Sequence, residues 1–100
     1  MAEIADAPLV LIVEDEPATR TLLAGYFHNA GFLVAEAENG RQTREALLRQ
    51  PPDLVLLDIE LPDEDGFSIA KSIRETSNVG IIIVTNRAGE DDRVFGLETG

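Results

Sequence analysis

One hundred residues, 44% of them hydrophobic and 27% charged, are enough for one domain with a core of ordinary size. Nineteen acidic against eight basic residues leave a net charge of −11, which argues against nucleic-acid binding through a basic face. No apolar run is long enough to span a bilayer, and without cysteine there is neither disulfide nor thiolate-held zinc, so a cytosolic setting away from the membrane is expected.

Met1 to Pro8 has no basic start and no apolar centre, so it is expected to be a short disordered lead-in rather than a signal peptide. Leu9 to Val13, LVLIV, is apolar on consecutive positions, the pattern of a strand buried on both faces. It ends in three acids, Glu14, Asp15 and Glu16. Pro17 suits the first position of a helix whose apolar face comprises Leu22, Leu23, Tyr26, Phe27 and Ala30, and Gly31 ends it. His28, after two aromatics, is expected at the surface. Phe32 to Ala37 is predicted as a short strand near a sheet edge, because Glu36 interrupts it. Asn39 is a plausible cap for a second helix that turns Ala46 and Leu47 inward and ends before Pro51 and Pro52.

The central stretch is Leu54 to Gly66, LVLLDIELPDEDG. Four apolar residues lead to Asp58, and Pro62 and Gly66 prevent the strand from continuing. Asp63, Glu64 and Asp65 are expected to be a solvated loop and helix cap rather than ligands. A third helix starts at Asp65 or Gly66, with Ile69, Ala70 and Ile73 inward. After a turn over Ser77 to Gly80, GIIIVT forms a strand ending in Thr85. Glu90 to Glu98 is predicted as a fourth helix, with Val94 and Leu97 inward. Strands alternating with helices imply right-handed crossovers and a parallel sheet with helices on both faces.

In such a sheet Glu14, Asp15, Asp58 and Thr85 all fall on the rim formed by the strands' carboxyl ends, where ligands collect. Two carboxylates about 5 Å apart repel by about 3 kcal/mol at an effective dielectric near 20, so a cluster must either take up protons or hold a cation. Carboxylates with a backbone carbonyl suit Mg2+, which prefers oxygen ligands and keeps several waters. A carboxylate beside such an ion can attack phosphorus and form an aspartyl phosphate, and the Thr85 hydroxyl could donate to a phosphoryl oxygen.

The acids of LIVEDE, the aspartate of LVLLDIELPDEDG and the threonine of IIIVT resemble the receiver domain of bacterial two-component response regulators, from about Leu9 to Gly100. The resemblance implies a flavodoxin-like α/β fold, doubly wound in three layers, over residues 9–100. It also implies a phosphoprotein of a two-component signal-transduction system. Asp58 would accept the phosphoryl group from a sensor histidine kinase. Asp15 would bind Mg2+ directly, Glu14 through water and Glu60 through its backbone carbonyl, with Asp58 completing the metal set. Thr85 would be the switch hydroxyl that controls an output, expected to be transcription through DNA contacts made by another region. No enzyme activity is implied beyond self-catalysed phosphoacceptance and dephosphorylation.

Two features depart from that pattern. Asn86 stands where the family has a small residue. The chain stops at GLETG, before a fifth strand bearing a phosphate-contacting lysine and a fifth helix, and Lys71, its one lysine, belongs to the third helix. The expectation is therefore a piece of a longer protein, lacking the last strand and helix, whose Ile81–Val84 strand is an open edge prone to homodimerisation or strand or helix exchange. Arg87 could approach the phosphoryl site. Three rivals share parts of the pattern. A Mg2+-dependent phosphatase of the haloacid-dehalogenase type needs a second aspartate where Glu60 stands. A receiver-like binding module would never be phosphorylated. A flavodoxin would set its flavin phosphate against the anionic EDE loop.

Overall fold

The computed structural model describes residues 7–85, and the backbone alone of Thr85 and of residues 93–98. Four strands, β1 (Leu9–Val13), β2 (Leu33–Ala37), β3 (Leu54–Asp58) and β4 (Gly80–Thr85), run parallel. Helices α1 (Pro17–Asn29), α2 (Gly40–Arg49) and α3 (Gly66–Arg74) connect them. The sheet order is β2-β1-β3-β4-β5, the last strand being Arg93–Glu98, so the chain winds from β1 to β2 on one side and then reverses to β3 and β4 on the other. That reversal opens a crevice beyond the carboxyl ends of β1 and β3.

The sheet core follows from side-chain alternation. Leu11, Val13, Val55, Leu57, Ile81 and Ile83 point to one face and pack with Ile69, Ala70 and Ile73 of α3 and Ala46 of α2. Val10, Ile12 and Leu56 point to the other, where Leu23, Ala24 and Phe27 of α1 cover them. Among the described residues, two helices cover the first face and one covers the second. The α1 stripe is accordingly narrower than its sequence suggests: Leu22 is 74% and Tyr26 68% exposed, and Ala30 is exposed too. A helix buries only the side chains aimed at the sheet it packs on.

Local chemistry sets the element ends. Gly31 has φ of 100°, and the N–H groups of Gly31 and Phe32 donate back to the carbonyls of His28 and Phe27. This is a Schellman ending, sealed by the edge-to-face contact of Phe27 and Phe32 at 5.5 Å. Asn39 caps α2 as expected, accepting from the Gln42 N–H at 2.8 Å. Asp53 holds the starts of β1 and β3 together, exchanging bonds with the Leu9 main chain at 2.8 Å.

The expected fourth helix, Glu90–Glu98, is not formed over its described residues, 93–98. Arg93–Glu98 is instead a strand, β5, antiparallel to β4, with a register shift at Ile83/Val84. The β4 strand is therefore paired on both sides, and not the edge expected from the sequence. The physical reason is competition: Gly96 weakens a helix here, whereas in extended form this backbone pairs its N–H and C=O groups with β4. Most of the lead-in, residues 1–6, lies outside the described residues, as do Asn86 and Arg87.

Candidate functional site

The pairing of β1 with β3 builds the site. Val13 lies opposite Leu57, so the next residues, Glu14 and Asp58, come side by side at the rim. Asp15 is the following residue of the same loop. One carboxylate oxygen each from Glu14, Asp15 and Asp58 lies within 4.8 Å of the others. Glu14 and Asp58 are buried and Asp15 is exposed. Glu60, Leu61 and Pro62 of the loop after β3 line the same open depression, of about 360 Å³. Main-chain bonds hold the acids: the Glu16 N–H donates to Glu14 Oε2 at 3.1 Å, and the Glu60 N–H to Asp58 Oδ1 at 3.2 Å.

The electrostatics follow from this crowding. Burial pushes the Glu14 carboxyl up to about 7, against the pull of the Glu16 N–H, and the neighbouring charge of Asp58 adds to the rise. Burial also raises Asp58, while its hydrogen bonds from the Glu60 N–H and from Glu14 oppose that rise. Of the two, Glu14 is thus the readier to take up a proton, and a proton between them would relieve the repulsion of the pair. An all-oxygen set of this size and charge fits a hard divalent cation, which would displace that proton.

The structure brings Glu14, Asp15 and Asp58 together and sets Glu60 on the adjoining loop. Asp58 pairs in register with Val84, so the Thr85 backbone follows immediately on the neighbouring strand. The Thr85 side chain lies outside the described residues. Lys71 lines a separate groove with Phe67, Arg74 and Glu75. A larger groove, about 470 Å³, lies at the C-terminal ends of α2 and α3, lined by Leu47, Pro52 and Ile73 among others.

Two residues that the sequence did not place at the site, Arg20 and Asp63, tie neighbouring segments together. Arg20 of α1 donates to the Glu14 carbonyl and pairs with Glu36 and Glu38 at the end of β2. Asp63 accepts from the Gly40 and Arg41 N–H groups of α2, and so caps α2 rather than α3. Asp65, at the α3 N-cap, makes no side-chain capping bond. Neither the Arg20–Glu36 pair nor the Asp63–α2 bonds have a sequence signal, because the residues involved are 16 or more positions apart.

Comparison with known proteins agrees with this arrangement. The family model for the response regulator receiver domain matches residues 10–100. The chain is 48% identical over 91 residues to the TorCAD operon transcriptional regulatory protein TorR of Escherichia coli O157:H7, covering 91% of this chain and 40% of that protein. It is 44% identical over 102 residues to the transcriptional regulatory protein AruR of Pseudomonas aeruginosa, covering 97% and 42%. The chain thus spans about two fifths of the length of these curated relatives. Among solved structures, the BeF3-activated N-terminal receiver domain of Klebsiella pneumoniae RstA superposes with a TM-score of 0.76 at 33% identity, covering 82% of this chain and 70% of that one. The response regulator TrrA of Thermotoga maritima, in complex with Mg2+ and BeF, gives 0.76 at 34%, covering 81% and 71%. The chain belongs to the response regulator receiver domain family.

Proposed function

We propose that this chain is a phosphorylation switch in which Asp58 accepts a phosphoryl group from a sensor histidine kinase, with Mg2+, and passes the change to a transcriptional output in the cytoplasm. The observation that carries the reading is the convergence of the Glu14, Asp15 and Asp58 carboxylates within 4.8 Å at the crevice of the sheet. Asp15, Asp58, the backbone carbonyl of Glu60 and, through water, Glu14 would hold the cation. When bound, the ion supplies positive charge that offsets the acids and the incoming phosphoryl oxygens. One Asp58 oxygen attacks phosphorus, the P–N bond of the kinase's phosphohistidine breaks with its electrons returning to the imidazole, and an acyl phosphate remains on Asp58. Thr85, next along β4, is the candidate hydroxyl that senses it. The Mg2+ and BeF held by TrrA, and the regulator names of the relatives, support the same reading.

The test is incubation with acetyl phosphate and Mg2+ followed by intact mass. A gain of one phosphoryl group, lost in Asp58→Asn, is expected. An unlabelled full-length protein would point instead to a receiver-like module that acts without phosphorylation. Repeated turnover of a general phosphomonoester would favour the phosphatase. Sedimentation would separately test homodimerisation or exchange through the β5 side, since β5 has a neighbour only on its β4 side within this chain's described sheet.

A further inference from the structure

The loop between β3 and α3 is held at two places. At its base the Gly66 N–H donates to the Ile59 carbonyl at 2.9 Å, and Glu60 and Asp65 form a bridge. At its tip the Asp63 carboxylate accepts from two consecutive amides of α2, Gly40 at 2.8 Å and Arg41 at 3.2 Å. Next to it, Glu64 pairs with Arg44 of α2 at 3.0 Å. The approach is close: a Cβ on buried Gly40 would come within 3.0 Å of Glu64 Oε1 and 3.2 Å of Ile69 Cδ1.

An ordinary helix cap does not account for this arrangement. Asn39 already caps α2 locally, accepting from the Gln42 N–H. The Asp63 bonds instead span 22 and 23 residues and join α2 to the loop that starts at the phosphoacceptor. Glu60 belongs to the clamped base, on the stretch that runs on to the clasped tip, and its N–H bonds Asp58 Oδ1. We propose that Asp63 is a positioning residue for the Asp58 site, its carboxylate fastening the loop tip to the N-terminus of α2 so that Glu60 and Asp58 keep the geometry that binds the cation and receives phosphorus.

This inference rests on the proposed phosphoacceptor function, and its test separates the two. Asp63→Ala and Asp63→Asn, which keeps one acceptor, are compared with Asn39→Ala, which removes the local cap of the same helix and leaves the loop clasped. The rate of labelling by acetyl phosphate, Mg2+ affinity, thermal stability and amide exchange at Glu60 are measured on the full chain. Asp63→Ala is expected to slow labelling and weaken Mg2+ binding by about tenfold, the scale of a small misplacement of reacting groups. Asp63→Asn should fall between it and the parent. Asn39→Ala should lower stability alone. If Asp63→Ala and Asp63→Asn lower stability but leave labelling, Mg2+ affinity and Glu60 exchange unchanged, the residue is a plain cap and the inference is overturned. If the parent protein itself is never labelled, the phosphoacceptor reading fails. The clasp is then decided by exchange at Glu60, which must quicken in Asp63→Ala and not in Asn39→Ala.

Discussion

Arg20 Nη1 donates to the main-chain carbonyl of Glu14 at 2.9 Å, while its Nε meets Glu36 at 3.1 Å. One guanidinium, 14% exposed, therefore fixes the backbone of the acidic loop to the carboxyl end of β2. The structure ties this cation to the site's own backbone, and its fork shape lets it serve several oxygens at once.

Arg20→Ala should cost about 1–2 kcal/mol of stability, the range of a partly buried hydrogen bond to a charged donor. It should also weaken Mg2+ binding, because Glu14 and Asp15 lose a fixed backbone. Arg20→Lys should recover only part of both effects. Chemical denaturation and calorimetric Mg2+ titration measure them, and an Arg20→Ala protein with unchanged Mg2+ affinity would show the contact to be structural only.

The Glu14 carboxyl ordinarily ionises near 4.5 and is raised to about 7 in the folded protein. Between those values the folded state holds more protons than the unfolded one, so stability falls as pH rises. Without Mg2+, the melting temperature should decline from pH 5 to pH 8. Glu14→Gln should flatten that slope. Mg2+ should stabilise the protein more at pH 8 than at pH 5, since it no longer competes with the proton. A melting temperature independent of pH over this range would contradict the shared-proton picture.

Gly66 opens α3 directly beneath the end of β3. A Cβ there would collide with the Asp58 carbonyl oxygen and come within 2.7 Å of the Ile59 Cα, both backbone atoms that cannot swing away. Gly66→Ala should destabilise the fold by about 1–3 kcal/mol, as overpacking does, and displace Asp58. Slower phosphoryl labelling together with a lower denaturation midpoint is the expected pair of readouts.

Packing predicts a contrast between two leucines. Leu57 is fully buried in the sheet core, whereas Leu48 on α2 is 87% exposed. Leu57→Ala should cost about 2–5 kcal/mol, and Leu48→Ala should stay within about 0.5 kcal/mol. Urea unfolding of the two variants decides it.

The doubly buried strands were legible in the sequence because LVLIV, LVLLD and GIIIV carry apolar residues on both faces, which only a covered parallel sheet requires. The acids that follow them were legible for the same reason: a strand's end is also the sheet's rim, so Glu14, Asp15 and Asp58 could be placed on one rim from local pattern alone. What the sequence could not show is which groups meet across the chain. Arg20 finds β2, and Asp63 finds α2, through contacts that no periodicity encodes. The exposure of Leu22 and Tyr26 depends on how many elements cover the α1 face. The fate of Arg93–Glu98 depends on its pairing with β4, where inter-strand hydrogen bonds prevail over a weak helical pattern. Local preference is a property of residues a few positions apart, whereas burial and pairing are set only when distant segments occupy the same space.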